Sequence, residues 1–230
     1  MKTIGLIGGM SWESSAVYYE LINLKVRELL GGFHSAKIVM VSVDFAEIEK
    51  LQHNNDWDGL NNKMVNAALQ LQNANADMIV LCTNTMHLCS EEIKKNISIP
   101  FLHIAEATGL EIKKHNISKV GLLGTKFTME KDFYKEIINN LGIEVIIPDG
   151  KDRDSVHQII YGELVHGKIL EQSKKTYKRI IKDLEMNGAE GVILGCTEIP
   201  LLIEQHDVDI PIFDTTKIHA ESAVELAIEK

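Results

Sequence analysis

Short runs of apolar, often β-branched residues alternate with stretches of helical periodicity along the whole chain. Each run is apolar throughout, a pattern typical of parallel strands that helices cover on both faces. Strands are predicted at residues 3–7, 36–43, 78–81, 120–123, 143–147, 191–194 and 211–213. Helices are predicted around residues 64–71, 132–138 and 173–186. The fold class is therefore predicted to be α/β with mostly parallel sheets.

The two halves of the chain carry similar segments in the same order. The sequence Ile-Gly-Leu-Ile-Gly-Gly at 4–9 is similar to Val-Gly-Leu-Leu-Gly-Thr at 120–125, and the stretch 76–85 is similar to 189–198. Any two α/β stretches can share such a rhythm, but the repeat favours two similar Rossmann-like lobes.

We assign residues 1–103 with 207–230 to the first lobe and residues 104–206 to the second. Ligands of open α/β sheets bind beyond the carboxyl ends of the strands. Two such edges that face each other would form a cleft, and we expect the active site in this cleft between the lobes.

Composition and charge disfavour several classes of function. The 230-residue chain is 45% hydrophobic and has a net charge of −9 without a stripe of lysine or arginine, which disfavours nucleic-acid binding. Three cysteines are too few for a disulfide framework. No apolar run approaches the roughly 20 residues that span a bilayer. We expect a cytoplasmic protein that acts on a small molecule, with no membrane or nucleic-acid partner.

Two polar turns follow strands in the first half of the chain. Residues 8–11 (Gly-Gly-Met-Ser) lack the spacing of a dinucleotide motif, but they can present backbone N–H groups to a carboxylate where a helix begins. Residues 82–87 (Cys-Thr-Asn-Thr-Met-His) offer neutral donors that suit a carboxylate. In the alternative interpretation, the glycines serve only the turn, and the threonines and asparagine act as helix N-caps.

A third turn, residues 195–198 (Gly-Cys-Thr-Glu), places Cys196 directly after a predicted strand. The dipole of a following helix and its N–H groups would favour the thiolate, so we expect a pKa of Cys196 lowered toward neutral. A buried cysteine without such help is more often inert packing. The matched position of Cys196 in the repeat favours a functional thiol.

No metal site is predicted. Cys82, His87 and Cys89 match no standard zinc spacing, and no fourth ligand accompanies them. Three further histidines stand isolated in the sequence and are interpreted as packing or surface residues: His103, His166 and His219.

Four segments in register resemble the aspartate/glutamate racemase family: residues 8–11, 83–87, 123–128 and 195–198. The resemblance covers essentially the whole chain. It implies two similar α/β lobes with the site between them, and catalysis without pyridoxal phosphate or another cofactor. It also implies two cysteines on opposite sides of the substrate Cα, one removing a proton as thiolate and the other returning a proton as thiol.

One position departs from the family's pattern. Where the first-lobe motif of the family reads Cys-Asn-Thr-x-His, this chain has Thr83 in place of the cysteine. Cys82 lies one residue earlier, and because side chains alternate across a strand we do not expect it to substitute. The chain resembles a branch with Thr-Asn-Thr and Cys-Thr-Glu, which is associated with racemisation of glutamate and aspartate that favours the L enantiomer as substrate.

The resemblance thus implies an acidic amino acid as substrate, Cys196 as the base and Thr83 at the opposite face of Cα. A threonine hydroxyl cannot form a thiolate-like base, but it could relay or donate a proton. The expected substrate-binding residues are Met10 (through its backbone), Gln52, Asn84, Thr85, Thr125, Thr128, Thr197 and Glu198. N-capping is the alternative for Thr125 and Thr128. No arginine is placed to separate aspartate from glutamate, and a homodimer is the expected assembly.

Two other classes of function stay open. A related enzyme with one cysteine, such as a decarboxylase or a maleate isomerase with a nucleophilic cysteine, would share these motifs. A protein that binds an amino acid without converting it would share them as well. Of the three, only a racemase needs to exchange the Cα proton of an amino acid.

Overall fold

The computed structural model of the protein describes residues 1–229, which form two compact units. Unit 1 comprises residues 1–104 with 219–229, and unit 2 comprises residues 105–218. The expected second lobe boundary, 206/207, lies earlier in the chain than the observed one. The difference arises because the strand Ile212–Asp214 pairs with a strand of unit 2.

Within the described residues, unit 1 is built on a four-stranded parallel sheet in the order β2-β1-β3-β4. Its strands are β1 (Ile4–Gly8), β2 (Ile38–Ser42), β3 (Met78–Leu81) and β4 (Phe101–Leu102). Its helices are α1 (Trp12–Leu30), α2 (Phe45–His53), α3 (Trp57–Asn73) and α4 (Ser90–Asn96), and a 3-10 helix, Thr85–Cys89, precedes α4. The β4 strand was not predicted, because two residues are too short a run to stand out in a sequence.

Unit 2 repeats this arrangement in the order β6-β5-β7-β8. Its strands are β5 (Lys119–Gly124), β6 (Glu144–Ile146), β7 (Gly191–Gly195) and β8 (Ile212–Asp214). The remaining helices are α5 (Ile104–Lys114), α6 (Lys126–Glu130), α7 (Asp132–Asn140), α8 (Gly150–Gly162), α9 (Glu171–Met186) and α10 (Thr215–Ile228). Three short 3-10 helices lie at Leu164–His166, Ile199–Leu201 and Gln205–Asp207. No helix among residues 1–229 is long and apolar enough to cross a membrane.

Side chains alternate between the two faces of the sheet in unit 1, so that an apolar cluster forms on each face. Ile4 and Val80 pack in the cluster that includes α1 and the C-terminal part of α10. Ile7 and Leu81 pack in the cluster that includes α3 and α4. Strands β1, β3 and β4 are apolar at every position, as expected for strands that are covered on both faces. The parallel pairing of the strands confirms the prediction of an α/β fold.

In both sheets the first strand lies between the second and the third strand of its unit. Strand β1 pairs with both β2 and β3, and β5 pairs with both β6 and β7. The carboxyl ends of β1 and β3, and those of β5 and β7, thus flank a reversal of strand order. Ligands of open α/β sheets bind at such reversals, and the three polar turns of the sequence follow these strands.

Gly9 makes the turn after β1 possible. Its φ is +92°, and a Cβ at this position would lie 2.1 Å from the carbonyl oxygen of Val43. We expect Gly9→Ala to lower the free energy of unfolding by more than about 2 kcal/mol, because backbone strain and steric overlap add.

Gly142→Ala is the matched control, because Gly142 has a φ of +84° with nothing within 4 Å of the added Cβ. It should lose only about 1 kcal/mol, the cost of the backbone conformation alone. Urea unfolding of both variants measures the difference. An equal loss of unfolding free energy in the two variants would contradict a steric role for the contact between residue 9 and the Val43 carbonyl oxygen.

Candidate active site

The turn after β1 is bound to the first turn of α1. The Oγ atom of Ser11, the N-cap residue, accepts from the Ser14 N–H at 3.3 Å, and the Gly9 N–H donates to Ser15 Oγ at 2.7 Å. Met10 between them is buried. One N–H group of the turn, that of Gly9, is therefore engaged within the protein, and a carboxylate contact through the Met10 backbone stays a prediction.

Gln52 links α2 to the segment after β3. Its Nε2 donates to Met86 Sδ at 3.1 Å, and Met86 belongs to the same apolar cluster as Met10. Met10 follows β1, Gln52 lies on α2 after β2, and Met86 follows β3, so each residue comes after a different strand. The structure thus brings Met10, Gln52 and the segment after β3 to one edge of the sheet in unit 1.

The segment after β3 holds Thr83 by its backbone. Asn84 and Thr85 are buried, whereas Thr83 is half-buried. His87 Nε2 accepts from the Ile104 N–H at 3.2 Å, so its Nδ1 carries the proton and donates to the Thr83 carbonyl oxygen at 2.8 Å. A neutral His87 therefore fixes Thr83 relative to the start of α5.

Cys82 faces away from this segment. It packs in the apolar cluster of Val80 and Tyr18, and burial raises the pKa of its thiol. Cys89 packs on the other side of the sheet, and burial raises its pKa to about 12. Neither thiol is a base near neutral pH, and Cys82 packs in the core away from Thr83, as its position one residue earlier predicted.

Three histidines from distant parts of the chain form a buried cluster in unit 1. The ring of His87 lies 4.6 Å from that of His103 and 5.6 Å from that of His219, between centroids. His219 Nδ1 accepts from the Tyr18 hydroxyl at 2.9 Å, while its Nε2–H donates to the Leu102 carbonyl oxygen at 3.0 Å. His103 and His219 are buried packing residues, as predicted, and the fold brings them together with His87. Their sequence positions carry no signal, because only the fold brings the separate elements together.

Burial keeps the histidine cluster neutral. It lowers the pKa of His103 to about 3 and that of His219 to about 4, and it lowers the pKa of His87 well below its ordinary value. Neighbouring positive charge contributes to the shifts of His87 and His103 as the smaller cause. Within residues 1–229, no three His, Cys, Asp or Glu side chains are arranged to hold a metal ion.

The neutral cluster predicts a loss of stability in mild acid. The unfolded chain binds protons at these histidines near pH 6.5, whereas the folded protein resists protonation until lower pH. The free energy of unfolding should therefore fall by up to about 1.4 kcal/mol per pH unit per histidine below about pH 6.5. Urea unfolding between about pH 7 and pH 5 measures this slope, in a range where ordinary carboxylates stay charged.

His103→Gln should reduce the slope, since one of the proton-linked histidines is removed. His34→Gln, at an exposed position, is the control and should leave the slope unchanged. A slope that is the same in both variants would contradict the assignment to the cluster.

In unit 2 the strand register places Thr125 and Cys196 side by side. Gly124 pairs with Gly195, and the two residues directly follow this pair. The Thr125 Oγ1 accepts from the Thr128 N–H at 3.3 Å, which confirms N-capping of α6 as its structural role. Thr128 is fully buried, with its methyl group over both glycines. Contact of either threonine with substrate stays a prediction.

Cys196 lies in a hydrogen-bonded group with the two residues that follow it. Its Sγ–H donates to Glu198 Oε2 at 2.9 Å, and the Thr197 hydroxyl donates to the same oxygen at 2.7 Å. Burial first, and then the charge of Glu198, raise the pKa of the Cys196 thiol well above its ordinary value. Hydrogen bonds from the backbone at Thr197 and Glu198 lower it by less.

The expected lowering of the Cys196 pKa is therefore wrong. The helix that was to supply a dipole is only a three-residue 3-10 helix, Ile199–Leu201. So short a helix sums few peptide dipoles. The carboxylate of Glu198 adds negative charge next to the sulfur, and the resting form of Cys196 is the thiol.

Tyr177 of α9 is a neighbour of Cys196 that sequence reasoning missed. Burial raises the pKa of its hydroxyl well above the ordinary value, and Cys196 and Glu163 raise it further. The hydroxyl donates to the Val156 carbonyl oxygen at 3.3 Å. In the sequence Tyr177 is one apolar position of an amphipathic helix, which predicts core packing and nothing more.

Comparison with known proteins places the chain in a family. Residues 7–223 match the model of the Asp/Glu/hydantoin racemases. The chain belongs to this family. It is accordingly an enzyme, an isomerase of the racemase type.

Relatives align with this family member over nearly its whole length. The broad specificity amino-acid racemase of Bacillus subtilis (strain 168) is 25% identical over 226 residues, which cover 96% of each chain. The crystal structure of a candidate Asp/Glu racemase from Yersinia pestis is 51% identical, with a TM-score of 0.95 over 100% of both chains. An aspartate racemase homologue from Pyrococcus horikoshii OT3 is 37% identical, with a TM-score of 0.88 over 100% of both chains.

Glutamate racemases share the fold at lower identity. The enzyme from Francisella tularensis in complex with D-glutamate is 16% identical, with a TM-score of 0.68 over 98% of this chain and 80% of that one. This likeness shows that the α/β fold is shared with that glutamate racemase.

Proposed function

We propose that this family member racemises glutamate, aspartate or both without a cofactor, and that it favours the L enantiomer as substrate. The observation that carries the proposal is the Cys196 thiol, hydrogen-bonded to a carboxylate at the carboxyl end of β7. Family membership supports the reaction type. The relatives include an aspartate racemase homologue, a glutamate racemase and a broad specificity amino-acid racemase, and they support the substrate class.

In the proposed reaction Cys196, as thiolate, removes the Cα proton of the L amino acid. The electrons of the Cα–H bond stay on the substrate as a carbanion. The Thr83 hydroxyl then passes a proton to the opposite face of Cα and takes one from solvent water. The two steps are chemically unequal, because a thiol ionises far more readily than an aliphatic hydroxyl.

The carbanion and the substrate carboxylates need hydrogen-bond donors that do not titrate. The proposed donors are the backbone at Met10 and the side chains of Gln52, Asn84, Thr85 and Thr197. Neutral donors suit this task, since preorganised dipoles stabilise developing negative charge without adding an ion to a buried site. Thr125, Thr128 and Glu198 are the remaining candidates for contact with substrate.

Unequal chemistry at the two faces does not shift the equilibrium. Enantiomers have equal free energy, so the two directions must have equal kcat/KM. The proposed preference for the L enantiomer therefore appears as different kcat and KM values in the two directions.

Replacement of the thiol tests the proposal. We expect Cys196→Ser to lower kcat/KM by about 10²–10⁴-fold, because a serine hydroxyl cannot replace the general base. Inversion of glutamate and aspartate is followed by circular dichroism. Cys82→Ala is the matched control and should keep the wild-type rate, since Cys82 lies in the core. A folded Cys196→Ser variant with full activity would contradict the mechanism.

A second pair of variants tests the role of Thr83. Thr83→Cys should bring the kcat values of the two directions closer together, because both faces then carry a thiol. Thr83→Val, which keeps the shape and removes the hydroxyl, should lose inversion while Cys196 still exchanges the Cα proton. Initial rates of inversion from pure L and pure D substrate give the ratio of kcat values, and loss of the Cα–H signal in D2O gives the exchange. An unchanged ratio of kcat values in Thr83→Cys would rule out Thr83 as the opposite-face residue.

A further inference from the structure

The sheet of unit 1 has an edge whose backbone groups are not paired within the described chain. Strand β2 is the outermost strand of the order β2-β1-β3-β4. The Val43 N–H donates to the Gly8 carbonyl oxygen, so the odd-numbered residues of this segment direct their backbone groups toward β1. Backbone groups alternate along a strand, and those of residues 38, 40 and 42 therefore point away from the sheet. Among residues 1–229 nothing forms a hydrogen bond with these outward groups.

The edge strands of unit 2 are protected by side chains. The outward N–H of Val145 in β6 donates to Asn139 Oδ1 at 3.2 Å. That of Ile212 in β8 donates to Gln205 Oε1 at 3.0 Å. In unit 1 the other edge strand, β4, has only two residues.

Strand β2 has none of these protections. Proteins commonly protect an edge strand by short length, charged residues, proline or a bulge. Strand β2 instead has five residues, Ile-Val-Met-Val-Ser, in unbroken register with β1. Its edge is therefore open to pairing with another strand.

A side chain of β2 extends an exposed apolar surface onto the face of the sheet that α1 covers. Ile38 packs against the apolar cluster of that face, and Met40, two residues on, has its side chain on the same face. A Cβ added at Gly8 would lie 3.0 Å from Ser15 Cβ of α1 and 3.5 Å from Met40 Sδ. Met40 thus lies beside α1, yet 37% of it is exposed.

The side of α1 toward this edge is apolar as well. Asn23 Oδ1 accepts from the Ala36 N–H just before β2, which identifies that side of the helix. Trp12, Ala16 and Tyr19 lie on the same helix face as Asn23, at the i, i+4, i+7 and i+11 spacing. Trp12 is 69% exposed and Tyr19 is 54% exposed. Aromatic residues and methionine are enriched in protein–protein interfaces, so this surface favours a protein as its occupant.

We propose that a second copy of this chain pairs its own β2 with this edge, antiparallel and centred on Met40. The outward groups of residues 38, 40 and 42 are symmetric about Met40. A two-fold axis at this point places Met40 opposite Met40 of the second copy and Ile38 opposite Ser42, so that every outward N–H meets a carbonyl oxygen. The sheet of unit 1 then continues into the four strands of the second copy.

Charge and burial favour a second copy over an unrelated strand. The edge strand itself carries no charge, so two identical strands meet without repulsion. Lys37 and Asp44 flank it at opposite ends, and the two-fold axis brings Lys37 of each copy near Asp44 of the other. The axis also keeps both α1 helices on one face of the joined sheet, where Trp12 and Tyr19 of the two copies are buried together. The inference gives the expected homodimer a specific surface and does not depend on the proposed function.

Met40→Lys tests the surface, because two ammonium groups would meet on the two-fold axis. We expect sedimentation velocity at micromolar concentration to give twice the chain mass for the wild-type protein and a monomer for the variant. Met186→Lys, the same change at an exposed methionine of α9, is the matched control and should stay dimeric. A monomeric wild-type protein, or a Met40→Lys variant that remains a dimer, would overturn the proposal.

A cross-link at residue 40 tests the register and keeps the dimer intact. In the proposed pairing the two Cα atoms of residue 40 lie about 5.5 Å apart. Met40→Cys should therefore form a covalent dimer with a short bismaleimide, with the two introduced thiols linked to each other in peptide mass spectrometry. Met186→Cys, which has the same three native cysteines, should not. A dimer without this link would be assembled through another surface and would refute the inference.

Discussion

Parallel register is the constraint on which the candidate site depends. In unit 2, Gly124 pairs with Gly195, so the next residue of each strand emerges at the same edge of the sheet. The two glycines also let Thr128 approach the strands, where a Cβ on either would lie 3.2 Å from its methyl carbon. In unit 1, β1 and β3 end together in the same way, and the turns at Met10 and Thr83 follow them. A shift of register by one residue would turn these side chains to the other face.

The parts of this arrangement that depend on local pattern could be predicted from the sequence. Apolar runs indicated the strands, and the internal repeat indicated two similar lobes. The alternation of side chains across a strand correctly predicted that Cys82 and Thr83 lie on different faces, with Cys82 in the core. The histidine cluster and the neighbourhood of Tyr177 depend on contacts between distant segments, for which spacing carries no information. The second lobe boundary differed because strand pairing, and not composition, decides that β8 belongs to unit 2.

The thiol shows why a motif alone does not determine chemistry. Position at a strand end predicted an acidic Cys196, but the pKa depends on what surrounds the sulfur. Burial and the Glu198 carboxylate outweigh the backbone donors, because the helix that follows has only three residues. The same carboxylate that makes the thiol a weaker acid lies 2.9 Å from Sγ, at the distance of proton transfer.

Exchange of the Cα proton with solvent is the most direct test of the central claim. The purified protein would be incubated in D2O, without cofactor, with L- and D-glutamate and L- and D-aspartate in separate samples. Proton NMR follows loss of the Cα–H signal, and circular dichroism follows inversion. A racemase with Cys196 and Thr83 on opposite faces predicts exchange together with inversion, with a larger kcat from the L enantiomer. No exchange with any of the four amino acids would contradict the account.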